Sequence, residues 1–172
     1  MGPSSGVAGL KRLQTVFRSI QLTGCLTILA IFSYYLATLS SNGLQIRTGV
    51  YVVEGFAAIG ALYTTHSLLL LFFRAGYVAL SPISLALDAC FAIIFIYVAV
   101  ENRAASGGCV SGTIYTVYGA GEAGWDVPQG PKRGLQTPTF GLACRLMMVC
   151  LIVSCLVMYA PSLLAVIRKM RY

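Results

Sequence analysis

Long apolar runs, separated by short polar stretches, repeat along this chain. The most informative run is 50–73, VYVVEGFAAIGALYTTHSLLLLFF, which contains no Pro, Lys or Arg. At 1.5 Å per residue, a helix of this length spans the roughly 30 Å hydrocarbon core of a bilayer. The same pattern predicts spans at 20–39, 83–100 and 140–167. We therefore predict an all-α membrane protein, built as an antiparallel bundle of four transmembrane helices.

The polar stretches between the runs define the rest of the organisation. Short connections make consecutive helices antiparallel neighbours, so 20–167 is predicted to be one transmembrane domain. The longest connection is 101–138, in which the piece 112–119 alternates polar and apolar residues. That alternation favours a short strand or one arm of a hairpin. The segments 1–19 and 168–172 are predicted to be an N-terminal segment and a basic tail outside the membrane.

Composition supports a membrane protein. The chain is 58% hydrophobic and 10% charged, whereas soluble domains average about 25% charged. The net charge of +7 does not indicate nucleic-acid binding, because the basic residues cluster at the ends of apolar runs, as membrane flanks do.

The basic residues also predict the orientation, since an excess of Lys and Arg marks the cytoplasmic face. If both termini share one side, that side holds Lys11, Arg12, Arg18, Arg74, Arg168, Lys169 and Arg171, and the other holds Arg47, Arg103, Lys132 and Arg133. We therefore predict cytosolic termini, with the 101–138 loop outside the cell or in a lumen. The protein would be a multi-pass component of the plasma membrane or of endomembrane vesicles.

Several ionisable residues lie inside the apolar runs. Charged side chains at bilayer depth cost about 2–3 kcal/mol or more, so they are expected to face other helices. Glu54 and Arg145 fall at similar depths from the outer side, and Asp88 falls within reach of His66 or Arg74 near the cytoplasmic side. Each level then holds an acid and a base, which favours neutralising pairs. A proton or ion path is the alternative interpretation.

Small residues recur along the second run. Ala57, Ala61 and Thr65 are spaced four apart, a spacing that lets two membrane helices approach closely. We interpret them as a packing seam within the bundle, and a dimer interface is the alternative.

The cysteines and the lone histidine set the candidate chemistry. Cys109 in the long loop and Cys144 near the outer end of the fourth run are a candidate disulfide, because the outer side is oxidising. The chain has one His and no CxxC motif, which does not favour a metal site. No GxSxG, HExxH or P-loop motif occurs. We therefore expect no cofactor and no enzymatic activity.

The order of these features resembles that of the MARVEL-domain proteins, particularly the small fungal members. The residues that carry the likeness are RSIQ at 18–21, IGALYTTHSLLL at 59–70, LALD at 85–88 and CRL at 144–146. The resemblance implies a four-span, M-shaped protein of membrane apposition, vesicle traffic or membrane-domain organisation. It also implies the absence of catalytic residues and of a soluble cofactor.

Two function hypotheses follow. The first is a non-enzymatic protein that organises membranes through contacts with lipids and with other membrane proteins, as a homo- or hetero-oligomer. The alternative is a small transporter or channel subunit that uses Glu54, His66, Asp88 and Arg145. An accessory subunit of a larger complex is a third interpretation.

Overall fold

The structure is a computed structural model that describes part of the chain: residues 5–73, 82–110, 112–131 and 134–170. Side chains are described for 12, 14–73, 89–110, 112–131 and 134–158. Within these residues the chain is mostly helical, which confirms the all-α prediction.

The helices, in chain order, are α1 (Ser5–Asn42), α2 (Thr48–Phe73), α3 (Pro82–Glu101) and α4 (Phe140–Met170). A short 3₁₀ helix (Arg103–Gly107) follows α3, and two strands follow that, β1 (Thr113–Thr116) and β2 (Gly119–Glu122). The strands pair antiparallel as a hairpin. Its first strand lies within the piece 112–119 that the alternation predicted as one arm, whereas the turn already comes at 117–118 and the second strand continues to Glu122.

Helix α1 begins much earlier than the apolar run does. It starts at Ser5 rather than near Ile20, so most of the predicted N-terminal segment is helical. Residues 10–14, LKRLQ, are all good helix formers, and they continue the helix without a break. With 38 residues, α1 is about 57 Å long at 1.5 Å per residue, longer than one bilayer crossing needs.

Membrane-spanning capacity is present in the described part of the chain. Three helical stretches there are long and apolar enough to cross a membrane: Gln14–Asn42, Thr48–Phe73 and Phe140–Met158. Helix α3 contributes a shorter apolar stretch, Ala89–Glu101. The length and apolar character of these helices are those of an integral membrane protein.

The four helices form an antiparallel ring. Helix α1 packs against α2 and α4, and α3 packs against α4 and, more lightly, α2. In the described residues, α2 and α4 are not neighbours, nor are α1 and α3. Antiparallel order is visible where Gly49, at the start of α2, faces Glu101 at the end of α3. It recurs where Tyr35, late in α1, reaches Ala143 in the first turn of α4.

The core runs along the axis of the ring. Its buried members come from every helix and include Ile28, Phe32, Tyr35, Val53, Ala57, Phe95, Val98, Cys144, Met147 and Cys150. Glycines permit the closest approaches. A Cβ at Gly60 would lie 2.8 Å from the Cys25 sulfur and 3.3 Å from the Phe91 ring. A Cβ at Gly24 would lie 2.7 Å from a methyl group of Val157 and 3.1 Å from one of Val153.

We expect Gly24→Ala to destabilise the bundle. Both valines that the new methyl group meets are β-branched and have little rotamer freedom in a helix, so α1 must move away from α4. Overpacking of this kind costs roughly 1–3 kcal/mol, and the better helix propensity of alanine offsets up to about 1 kcal/mol of it. Unfolding in one detergent, followed by circular dichroism, measures the difference.

The matched control is Gly55→Ala, also within a helix, where nothing lies within 4 Å of the added Cβ. It should leave stability unchanged or raise it by up to about 1 kcal/mol. Equal stability of the two variants would show that α1 and α4 are not in close contact at Gly24.

Candidate functional site

One end of the bundle is covered by the chain between α3 and α4. This end, called the loop end, brings together the last residues of α1 and α3 and the first residues of α2 and α4. The segment 102–139 is called the cap. Its described residues contact α1 and α4, and they hold most of the polar detail in the structure.

A disulfide joins the cap to α4. Cys109, which follows the 3₁₀ helix, is bonded to Cys144, and their Cα atoms are 5.6 Å apart. Cys109 is 5% exposed and Cys144 is fully buried. The structure thus brings together the two cysteines that the sequence singled out. The link fixes the start of the cap one turn inside α4.

The hairpin inserts an aromatic residue into the loop end. Strand β1 turns into β2 after Thr116, and Gly119 has the positive φ (120°) that the turn needs. Tyr118 in this turn meets the ring of Tyr35 edge-on, with centroids 5.5 Å apart. Tyr35 also packs edge-on against Phe32 at 5.6 Å and donates a 2.8 Å hydrogen bond to the carbonyl oxygen of Ala143. Aromatic rings therefore close this end of the bundle.

Two buried polar atoms at the loop end lack partners among the described residues: the hydroxyl of Tyr118 and Oδ1 of Asn102. Burial raises the pKa of the Tyr118 phenol, and the nearby Thr38 hydroxyl, which offsets part of that effect, donates its own proton to the carbonyl oxygen of Tyr34 rather than to Tyr118. The Asn102 amide nitrogen does donate, to the carbonyl oxygen of Val98. An unpaired buried hydroxyl costs stability, so the Tyr118 contact rests on ring packing.

The second half of the cap is fastened to the end of α1. The Asn42 side-chain amide donates to the carbonyl oxygen of Leu135 at 3.0 Å, and the Leu135 N–H donates to the Ser41 hydroxyl at 3.1 Å. Gly130 and Gly134 run so close to α1 that a Cβ on either would collide with the backbone of Asn42 or Ser41. These contacts bring the chain back across the bundle before α4 begins.

The cap also satisfies the first N–H groups of α4. The Phe140 N–H donates to the carbonyl oxygen of Trp125, and the Gly141 N–H donates to that of Ala123, both at 3.0 Å. Helix N-termini leave such donors without helical partners. The turn 123–126 is thereby held at the level where α4 starts, with the Trp125 side chain 64% exposed.

The intramembrane carboxylate has a different partner from the one predicted. Glu54 on α2 accepts a 2.7 Å hydrogen bond from the hydroxyl of Ser33 on α1. In the described residues no ion pair joins Glu54 to Arg145, which is exposed on α4. Depth matching placed the two groups at the same level, but α2 and α4 are diagonal in the ring, so that pairing is wrong.

The other sequence candidates are only partly described. His66 is exposed on α2, while Arg74 and the side chain of Asp88 lie outside the described residues, so the second predicted pairing stays a prediction. In the seam, Ala57 and Ala61 are buried. Thr65 is exposed and returns its hydroxyl to the Ala61 carbonyl, which corrects its assignment.

The residues that replace Thr65 in the seam are Gly60 and Thr64. Both are buried, and the Thr64 hydroxyl bonds back to the carbonyl oxygen of Gly60 at 2.8 Å. A helix has 3.6 residues per turn, so a strict four-residue spacing drifts off a straight contact line. The signal that would have found them is the small size of residues 60, 61 and 64 taken together.

At the opposite end of the bundle, Arg18 is buried rather than a solvated flank. Its exposed fraction is 6%, and its guanidinium donates to the Gln21 side chain at 3.1 Å. It also lies 5.3 Å over the ring of Tyr63 on α2, which stacks on Phe91 of α3 at 4.7 Å. This series of contacts links α1, α2 and α3, which charge counting along the sequence did not reveal.

A shallow groove of about 440 Å³ lies between α1 and α4. Apart from Leu156, its walls are small or β-branched residues: Thr15, Val16, Ser19, Ile20, Thr23, Gly24, Thr27, Val153 and Val157. The hydroxyls of Thr23 and Thr27 bond back to carbonyl oxygens one turn earlier. The groove therefore offers shape rather than reactive chemistry.

Among the described side chains, no group of three or more His, Cys, Asp or Glu could hold a metal ion.

Comparison with known proteins identifies no relative: no family model, no curated protein and no solved structure matches this chain. The resemblance to MARVEL-domain proteins therefore stays a hypothesis, and the function has to be argued from the geometry.

We expect loss of the disulfide to loosen the cap. Cys109 and Cys144 are 35 residues apart, and a loop of that size predicts about 3–4 kcal/mol of stabilisation in the chain-entropy account. Cys109→Ser should lower the free energy of unfolding in detergent by about that amount. It should also make the cap more susceptible to protease. The control is Cys90→Ser, at an exposed free cysteine, which should change neither. Unchanged protease resistance in Cys109→Ser would contradict the role of the bond.

A second expectation concerns Tyr118. Tyr118→Phe keeps the ring but removes the unpaired hydroxyl, so stability should be equal or higher by about 1 kcal/mol. Tyr118→Ala removes the ring and should cost roughly 2 kcal/mol, less than a fully buried ring would. The two variants are compared by thermal unfolding under identical conditions. A loss of stability in Tyr118→Phe would mean that the hydroxyl has a partner in the folded protein.

Proposed function

We propose that this chain is a four-span, non-enzymatic membrane protein that organises membranes through lipid and protein contacts, as the resemblance to MARVEL-domain proteins implies. Both termini lie in the cytosol in this proposal, and the cap lies outside the cell or in the lumen of endomembrane vesicles. The protein acts through its surfaces rather than through a reactive centre.

The observation that carries the proposal is the filled axis of the bundle. Apolar side chains from all the helices occupy it along the described length. Glu54, the carboxylate described within a span, is already bonded to Ser33. Rings of Tyr35 and Tyr118 cover the loop end. A conduction path needs polar groups along a continuous opening, and this arrangement favours a structural core instead.

The exposed apolar surface of the helices supports the proposal that lipids and other membrane proteins are the partners of this chain. Large apolar side chains are exposed on successive helices, among them Leu62, Phe72, Phe73, Ile93, Ile152 and Leu156. Exposed apolar area of this extent marks membrane or protein contact. In a bilayer these side chains meet acyl chains or the spans of other proteins, including further copies of this chain.

Helix lengths support the fourth span. Helix α3 has 20 residues and is about 30 Å long at 1.5 Å per residue, which matches the hydrocarbon core. The antiparallel order then brings the start of α1 and the end of α4 to one side. Their basic residues favour the cytosol for that side.

A small transporter is the second candidate, and one observation favours it. Glu54 is only partly buried, and its partner Ser33 is a hydroxyl that can pass a proton. Ionisable groups within spans often mark ion or proton pathways. The remaining members of such a path would be His66, Asp88 and Arg145, of which His66 and Arg145 are exposed.

Proteoliposomes separate the two candidates. With a pH or ion indicator inside, we expect no flux beyond that of empty liposomes, because the axis is filled. Glu54→Gln and Asp88→Asn should change nothing, and Glu122→Gln in the cap serves as a matched control outside the spans. Flux that Glu54→Gln abolishes and Glu122→Gln preserves would overturn the proposal in favour of transport.

Two further measurements test the organising role and the topology. Native mass spectrometry from a mild detergent should retain lipids or further subunits. Single cysteines at either end of the chain, in a background lacking exposed thiols, should react with an impermeant maleimide from the same side of the membrane. Termini on opposite sides would contradict the four-span proposal.

A further inference from the structure

Trp125 occupies a defined level in the fold. Its carbonyl oxygen accepts from the N–H of Phe140, the first residue of α4, at 3.0 Å. Its own N–H donates to the carbonyl oxygen of Glu122 at 3.0 Å, and the next residue, Asp126, bridges to Thr139. The tryptophan backbone is thus fixed at the entry of a helix whose first 19 residues, Phe140–Met158, are apolar enough to span a membrane.

The Trp125 side chain does not join the core. It is 64% exposed, although it is the only tryptophan in the chain. Tryptophan combines a large apolar ring with one N–H donor, and it is enriched where acyl chains meet headgroups. Because the turn that carries it is fastened by backbone bonds, little ordering entropy opposes placing the ring in one layer.

Neighbouring surfaces at the same end fit a lipid boundary. Leu142, two residues into α4, is 47% exposed and begins an outer face that, apart from the exposed Arg145 one turn further on, is apolar through Val149, Ile152 and Leu156. Tyr51, in the first turn of α2, is 55% exposed at the same end. Trp125 therefore lies at the level where the proposed lipid-facing surface of the spans begins.

We propose that Trp125 is a membrane anchor of the cap. Its ring lies among the glycerol and carbonyl groups of the leaflet at the loop end and holds the cap against the lipid surface. The occupant of this site is a phospholipid leaflet, not a soluble ligand. The inference rests on the proposed function in one respect, that α4 spans the bilayer.

A single tryptophan makes the test direct, since the intrinsic fluorescence of the whole protein reports Trp125 alone. The full chain is reconstituted in vesicles of phosphatidylcholine brominated either near the headgroup or near the acyl-chain end. Acrylamide is added to parallel unbrominated samples. We expect blue-shifted emission, greater quenching by the shallow bromines than by the deep ones, and little loss with acrylamide.

A second variant tests whether α4 spans the bilayer, independently of whether Trp125 is an anchor. In Trp125→Phe with Ile152→Trp, the new ring is on the exposed face of α4, roughly 18 Å along the axis from Phe140. Deep bromines should quench it most. If they do not, the membrane span itself is wrong and the proposed function fails with it.

The remaining outcomes bear on the anchor alone. If Ile152→Trp reports a span while Trp125 in the parent chain is quenched by acrylamide and not by bromolipid, the ring faces water and the anchor is overturned. If neither acrylamide nor either bromolipid quenches Trp125, another protein or a second copy covers it, which also overturns the lipid assignment.

Discussion

A single buried side chain, Tyr35, joins the parts on which the fold depends. It belongs to α1, its hydroxyl bonds to a backbone carbonyl of α4, and its ring receives Tyr118 from the cap. An apolar surrounding leaves few partners for a phenol, so a satisfied hydroxyl in that place specifies one arrangement of helices. Edge-to-face ring pairs add about 0.5–1.5 kcal/mol each beyond the area they bury. The loop end is thereby a fixed, closed surface.

The treatment of polar groups inside the bundle follows the same logic. A carboxylate within a span needs a donor within reach, and Ser33 supplies one to Glu54. At the opposite end, Arg18 donates to the Gln21 amide and lies over the aromatic ring of Tyr63. These contacts hold helices in register, which is the role that the filled core also serves.

The cap gives the molecule its asymmetry. It is held on the bundle by a disulfide to α4, by two glycines that approach the backbone of α1 closely, and by the Tyr118 ring packed on Tyr35. It presents an exposed tryptophan at the level where α4 begins. At the opposite end α1 begins and α4 ends, and the sequence of both terminal regions is rich in Lys and Arg. A protein whose loop end is covered by the cap, and whose helices expose many apolar side chains, is suited to contacts within the membrane plane. That geometry underlies the proposal of an organising role over a conducting one.

The sequence by itself determined the helical class, the length of the apolar runs, the position of the hairpin and the two cysteines that meet. Each of these depends on local periodicity or on residue type, and both are visible in the linear sequence. Only the tertiary structure decided which helix faces which. Glu54 and Arg145 share a depth that counting residues reveals, but the ring order places α1 between α2 and α4. The seam shifts from Thr65 to Gly60 and Thr64 because a repeat of 3.6 residues, rather than four, decides which side chains share a helix face. Rotation of a helix about its axis is set by packing against several neighbours at once, and no single stretch of sequence encodes it.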